Sequence, residues 1–432
     1  MQLIIHRGTH EIGGSCIELE SGKGRIVIDI GLPLVDERGE QFDFRLYRKL
    51  TGPQLIEKNI LPDVSGLYRF DDSHKSPGAL LISHPHLDHF GLLHFVRPNL
   101  PLYMSKGCHK LIELSYYFNE AAFDFEKIEL VAPWDSFSIS NFTIVPYLVD
   151  HSGFEALAFL IEAEGKRIFY SGDFRGHGRK HWVFDKIIKD PPKNIDYLLL
   201  EGSHIEEVDG DCETEEAVEL GLIELLNDKE KLYFIATSSQ NIDRIVSIYR
   251  ACKKTDRIFV IDPYTALLLE ATKSVSYAIP QHDWKNHMKV FFTDSRHTKL
   301  LKKDSILGRF KQSEVKYEDI VKDKGRYLIK DSFAVRNKFD ADKHLSNTVL
   351  IYSMWKGYLE DDEKLQAFWA KNGVQITHVH TSGHAHIGDL KKFAEAFNPG
   401  TIIPIHTFSP DKFHEHFSDK VRVCSDKECV NL

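Results

Sequence analysis

The stretch LLISHPHLDHFGLLHF, residues 80–95, constrains this chain more than any other. It crowds His84, His86, Asp88 and His89 into six positions, directly after one short apolar run and directly before another. A solvated turn has no use for four such side chains together, whereas imidazole and carboxylate are the ligands preferred by Zn²⁺ and similar borderline metals. In an extended segment, side chains at i and i+2 point the same way, so His84 and His86 can reach one ion. Asp88 and His89 fall at the start of the following helix and turn toward a neighbouring position. Two ions held this way each need further ligands, and the rest of the chain must supply them.

At 432 residues the chain suggests two domains, with ample length for a sizeable interior. Its 42% apolar and 28% charged composition is that of a soluble globular protein, with no apolar run approaching the ~20 residues of a membrane span. The start, MQLIIHRGTHEIGG, reads as a strand and turn and lacks the features of a signal peptide, so a cytoplasmic protein away from membranes is expected. Cys16, Cys108, Cys212, Cys252, Cys424 and Cys429 form no C-x-x-C pair, which predicts reduced thiols and no thiolate zinc site. The net charge of −9 argues against nonspecific coating of nucleic acid. Residues 299–330, where Lys and Arg outnumber Asp and Glu, remain a candidate for a local basic groove, with a solvated helical face as the alternative.

The first eighty residues alternate short β-rich runs with turns (QLIIHRG, SCIELES, GRIVIDIG, GALLISH), which predicts a sheet built largely by hairpins. From about residue 205 the pattern changes to KLYFIAT, NIDRIVSIYRACKKT and RIFVIDP, a strand, helix, strand unit with a parallel crossover. TVLIYSM, DDEKLQAFWAKNG and VQITHVH repeat that unit, so the middle of the chain reads as a separate α/β domain. Candidate partners for the histidine cluster recur where strands end: His151 in VPYLVDHSG, Asp173 in FYSGDF and His406 in IIPIHT. A lone strand-end histidine is commonly structural, but three such residues after strands change that balance.

The set HPHLDH, DHSG, SGDF and PIHT, in this order and spacing, resembles the metallo-β-lactamase fold of binuclear hydrolases. The resemblance implies an α/β protein with a four-layer αββα sandwich and two Zn²⁺ ions, Mn²⁺ being the alternative metal. His84, His86 and His151 would hold one ion, Asp88, His89 and His406 the other, with Asp173 bridging. Glu201 in LLLEGSHI and His384 in HTSGHA narrow the resemblance to the β-CASP branch, nucleic-acid nucleases with an inserted α/β domain. The expected organisation is residues 1–203 and 377–432 for the lactamase domain and 204–376 for the insertion. Glu201, His384 and His406 would be motifs A, B and C. In that branch a histidine at motif C is associated with RNA and a valine with DNA. HTSGHAHIGDLKKF before IIPIHT is similar to ribonuclease J-like enzymes, while Gln240, the serine of EGSH and the segment YSMWKGYL depart from that pattern.

These implications give a zinc-dependent ribonuclease, exo- or endonucleolytic, that hydrolyses single-stranded RNA with a metal-bridging hydroxide as nucleophile. His384 is the expected proton donor, oriented by Glu201, and Asp88 also belongs to the catalytic set. Asp29 in RIVIDIGLP would hold a ligand histidine in the right tautomer. Ser382 and Gly383 could present a hydroxyl and an N–H to a phosphate, and Ser238 and Ser239, before a helix N-terminus, could do so from the other domain. His378, His380, His386, His414 and His416 are left outside the site. A homodimer is the assembly considered. The competing functions are hydrolysis of a small ester, thioester or lactam, and a catalytically silent RNA-binding subunit.

Overall fold

Three sheets organise the chain in a computed structural model that describes all residues except 37, 74, 208–212 and 285–286. The first sheet has seven strands. Gln2–Arg7, Cys16–Ser21 and Gly24–Ile28 pair antiparallel, with Cys429–Asn431 on the outer side of Gln2–Arg7. Beyond Gly24–Ile28 the sheet continues in parallel through Ala79–Leu81, Leu102–Met104 and Ile128–Leu130. The hairpin expectation therefore describes only half of this sheet. The parallel strands are three residues each, too short for their direction to leave a pattern in the sequence.

The second sheet has six strands and carries Thr401–Ile405 beside Tyr197–Glu201, so the end of the chain returns to the first domain. Side chains alternate across each strand, and both faces of these two sheets are covered. In Gly24–Ile28, Ile26 and Ile28 join Phe159, Ile161, Tyr170 and Ile403 of the second sheet in one core, while Val27 faces the helix Lys106–Phe118 through a core shared with Cys108 and Ile112. The far face of the second sheet buries Phe169, Leu198 and Leu200 against Phe184 of His181–Lys189 and Phe393 of Ile387–Phe397. The result is the αββα sandwich.

The third sheet is parallel throughout and is built by Leu232–Ala236, Ile258–Ile261, Met288–Val290, Tyr327–Lys330, Thr348–Tyr352 and Gln375–His378. Leu232–Ala236 is buried at every position, as a strand with helices on both faces must be. Tyr233 and Ile235 face Ile245 and Ile248 of Ile242–Lys254, and Phe234 faces Phe339 and Trp369. The core on the first of these faces also takes Leu111 and Phe118 from the sandwich helix Lys106–Phe118, which packs on Pro263–Thr272. Cys16, Cys108, Cys252, Cys424 and Cys429 are free thiols, and Cys212 lies outside the described residues. Among the described residues no helix is long and apolar enough to cross a membrane.

Candidate metal centre

Five strands of the sandwich end at one edge, and the loops that follow bring the histidines and carboxylates together. His84, His86, Asp88 and His89 follow Ala79–Leu81, His151 follows Phe142–Leu148, Asp173 follows Lys166–Tyr170, Glu201 closes Tyr197–Glu201, and His406 follows Thr401–Ile405. The one-turn helix Leu87–Phe90 is pinned through its carbonyls: Leu32, Ser15 and Ile30 donate their N–H groups to Leu87, Asp88 and His89 in turn. A Cβ on Gly31 would lie 1.7 Å from the Asp88 carbonyl oxygen, so only glycine permits this approach. Asp29 and His406 are both left-handed, at φ 60° and 53°, and the His406 N–H donates to Gly8 at 2.6 Å. Backbone strain of this kind persists where the surroundings over-determine it, as at functional sites.

Among the described residues the donor atoms form four overlapping groups, of which two, His151–Asp173–His384 and Glu201–His384–His406, include His384 and the other two do not. One ligand atom each of His84, His86 and His151 lie within 4.8 Å of one another, and so do those of Asp88, His89, Asp173 and His406. His86 Nδ1 is 3.1 Å from both His84 Nε2 and His151 Nε2. Asp173 Oδ2 sits between the groups, 3.1 Å from His89 Nε2, 3.6 Å from His84 Nε2, 3.7 Å from His406 Nε2 and 4.0 Å from His151 Nε2. His406 Nε2 is also 3.2 Å from Asp88 Oδ2.

Two of these atoms, Asp173 Oδ2 and His89 Nε2, are buried and make no hydrogen bond despite their closeness. A buried polar atom without a partner is costly, and a cation between them removes the cost. The nitrogen and oxygen donor set fits Zn²⁺ or a similar ion, so the residues pass this test. The tautomers agree. Asp29 accepts from His89 Nδ1 at 2.8 Å, from Tyr170 Oη at 2.6 Å and from the Ser83 N–H and hydroxyl at 2.7 Å each, which leaves His89 Nε2 facing inward. His151 Nδ1 donates to the Gly383 carbonyl at 2.6 Å, with the same consequence.

Electrostatics separate the residues further. Burial and then neighbouring imidazoles hold His84 and His151 well below the ordinary histidine pKa, and burial pushes His86 down to about 4, so all three rings are neutral and ready to ligate. Burial opposes ionisation of Asp88, but His89 and His406 outweigh it and hold the carboxyl at about 2. His384 moves the other way. Burial opposes its charge, yet Glu201 and then Asp173 raise it to about 9 in the metal-free protein.

His384 Nδ1 lies 3.3 Å from both Glu201 oxygens and 3.0 Å from Ser203 Oγ. Ser203 Oγ donates to Glu201 at 2.9 Å and accepts from His406 Nδ1 at 3.0 Å. It thus ties Glu201, His384 and His406 together, a role that sequence reasoning missed. The only signal for it was its position two residues after Glu201.

Of the residues expected at a phosphate, Ser382 Oγ lies 2.6 Å from His204 Nε2 and accepts the His384 N–H at 3.1 Å, while Gly383 offers its carbonyl to His151. Ser238 is exposed, but Ser239 is buried with its hydroxyl on Thr265 at 2.8 Å, turned into the inserted domain. His204 was also missed. So was a pair of fully buried arginines. Arg175 donates to the Ser382 carbonyl at 2.7 Å, and Arg244 donates to the Thr381 carbonyl at 3.1 Å. Asp150, Asp243 and Glu215 neutralise the pair, so charges from the sandwich and the insertion jointly hold the loop that carries His384.

Comparison with known proteins agrees with this geometry. A beta-lactamase superfamily domain matches residues 64–234, and a Zn-dependent metallo-hydrolase RNA specificity domain matches residues 373–420. The chain is 26% identical over 213 residues to an RNase J-like protein of Methanocaldococcus jannaschii, covering 47% of this chain and 42% of that one. It is 23% identical over 430 residues to ribonuclease J of Helicobacter pylori, covering 92% of this chain and 55% of the relative. The chain thus spans about half the length of these curated relatives. A crystal structure of a protein of unknown function from Enterococcus faecalis superposes with a TM-score of 0.78 at 23% identity, covering 100% of this chain and 99% of that one, which shows a shared fold. The chain is thus similar to ribonuclease J-like β-CASP proteins of the metallo-β-lactamase superfamily.

Proposed function

We propose that this protein is a binuclear metal-dependent ribonuclease that hydrolyses phosphodiester bonds of single-stranded RNA. The observation that carries the reading is the position of Asp173 Oδ2, unpartnered and buried among five imidazole nitrogens, His384 Nδ1 at 3.9 Å included, and next to Asp88. His84, His86 and His151 would hold one ion and Asp88, His89 and His406 the other, with Asp173 shared, and zinc fits the donors best. Two such ions lower the pKa of water toward neutrality and offset the negative charge of a phosphate.

The chain's own groups do the rest. Asp88, ionised within its donor group, would orient the attacking water by accepting a hydrogen bond from it. His384 gives a proton to the departing 3′ oxygen from Nε2, the nitrogen left available once Nδ1 is engaged by Glu201 and Ser203. Glu201 favours the charged ring and fixes its orientation. A 5′-phosphate on the downstream product follows. The RNA preference rests on His406 at motif C and on the match to an RNA specificity domain.

Incubation of purified protein with end-labelled single-stranded RNA and with DNA of the same sequence tests this reading. RNA should be degraded, DNA poorly, and chelator should abolish both. Efficient turnover of nitrocefin or an acyl thioester with RNA left intact would assign the site to a small-molecule hydrolase instead.

A further inference from the structure

Most surface aromatic side chains of a folded protein are covered or partly so, yet three large rings stand open on one edge of the third sheet. Trp355 is 57% exposed, Tyr358 46% and Phe333 75%. All three stand just beyond carboxyl ends of parallel strands: Trp355 precedes and Tyr358 lies in the helix Lys356–Asp361 after Thr348–Tyr352, and Phe333 opens the helix Phe333–Ala341 after Tyr327–Lys330. Only Leu232–Ala236 separates these two strands, so their ends lie roughly 10 Å apart at the usual spacing of a sheet. The carboxyl edge of an open α/β sheet is where such folds bind ligands.

This edge leads directly to the metal centre. Met354 offers its carbonyl to His378 Nε2 at 2.9 Å, and Ser353 Oγ donates to the Val379 carbonyl at 2.6 Å, so the Trp355 loop lies against the strand that runs into Ser382 and His384. Asp88 is near enough to help raise the Tyr358 phenol, after burial, above its ordinary pKa. Trp355 and Tyr358 meet edge to face at 5.2 Å, which stiffens the pair and leaves ring surface open.

In the other direction the edge opens into a cleft of about 930 Å³ lined by Phe292 and Phe333, in which Arg296, Lys316 and Lys338 are matched by Asp294, Glu314 and Glu318. A row of open rings leading to the proposed nuclease site suits an extended single strand of nucleic acid, because every base has a face to stack. A folded protein surface or a lipid bilayer would ask for a broader apolar patch than three separated rings provide.

We propose that Trp355, with Tyr358 at its edge, and Phe333 form a base-stacking track that guides single-stranded RNA between the metal centre and the cleft beside Phe333. The inference rests on the reading of the protein as a ribonuclease, and it assigns to that reaction a track along the inserted domain. None of the three rings belongs to the metal or proton-transfer machinery.

The test measures binding of a single-stranded RNA of about twelve nucleotides by fluorescence anisotropy in chelator, for wild type, Trp355→Ala and Phe333→Ala. The same strand with abasic sugars is measured alongside. Each substitution should weaken binding of the normal strand by roughly 5- to 100-fold. The penalty should largely vanish on the abasic strand, and Trp355→Phe should recover most of the affinity. With metal restored, hydrolysis of bis(p-nitrophenyl) phosphate, a diester without bases, should be unchanged in both variants. Wild-type affinity in both variants, or an equal penalty on the abasic strand, overturns the track while leaving the ribonuclease reading intact. A parallel loss of diester hydrolysis also overturns it, by showing that the rings support the fold of the centre. Wild-type protein that hydrolyses the simple diester but neither binds nor cleaves RNA removes the ribonuclease reading, and the track with it.

Discussion

His384 and Asp29 are the two side chains whose assigned roles differ most sharply from those of the ligands beside them. If His384 donates a proton and holds no ion, His384→Ala keeps metal content and loses roughly 10²–10⁴-fold in kcat. An RNA with sulfur at the leaving position barely needs that proton, so the variant should recover much of its deficit there, whereas His151→Ala should not. Loss of an ion from His384→Ala, or no relative rescue, would make His384 a ligand or a phosphate binder. Asp29→Asn should act through His89. Its carboxylate holds the imidazole Nδ1–H at 2.8 Å, so metal affinity should fall about 10- to 100-fold in competition titrations with a chromogenic chelator. At this scale the sequence was most legible where ligands must be adjacent, as in His84, His86, Asp88 and His89. Asp29 was legible too, because it ends a strand before a loop. Ser203, His204 and Arg244 were not, since their partners stand far away in the chain: 181 residues from Ser203 to His384, 178 from His204 to Ser382 and 137 from Arg244 to Thr381.

Single elements carry their own charge chemistry. In the strand Cys16–Ser21, Glu18 accepts from His6 at 2.8 Å and from Arg25. Burial opposes its ionisation, but those two hydrogen bonds lower its pKa from 4.5 to about 2. A depressed folded-state pKa means that the ionised carboxylate stabilises the native state fully above about pH 4.5 and progressively less as pH falls toward 2. Thermal melts of wild type and Glu18→Gln should therefore differ at pH 6 and converge near pH 2, and a constant gap across that range would contradict the assignment. In the helix Ile242–Lys254, Arg244 is fully buried against Glu215 at 2.7 Å. Arg244→Ala leaves that carboxylate only the Ser247 hydroxyl at 2.8 Å and Arg175 at 3.6 Å, and should cost about 3 kcal/mol in denaturant unfolding. Arg244→Lys should keep part of the stability and lose the fork that reaches the Thr381 carbonyl. Four parallel strands of the insertion were readable in KLYFIAT, RIFVIDP, TVLIYSM and VQITHVH, which alternate with helical stretches, whereas Met288–Val290 and Tyr327–Lys330 were not singled out. Ala79–Leu81 and its two parallel neighbours were not, because three residues carry no periodicity.

For the whole molecule, the metal centre closes one edge of the sandwich and draws on both ends of the chain, from Asp29 to His406. An ion that binds only the native state raises stability by mass action, so saturating Zn²⁺ should raise the melting temperature of the stripped protein, and His86→Ala should blunt that rise. The sandwich could be anticipated from ligand motifs at strand ends, and the insertion from its change of rhythm. The shared core between Lys106–Phe118 and Pro263–Thr272 could not, because no local pattern encodes which helix meets which. The central claim is that two cations share Asp173 Oδ2, and anomalous diffraction at the zinc edge from crystals of the metal-loaded protein tests it most directly. Two peaks about 3.5–4 Å apart are predicted, one against His84, His86 and His151 and the other against Asp88, His89 and His406, with Asp173 between them. A single peak, or peaks away from these residues, would contradict it.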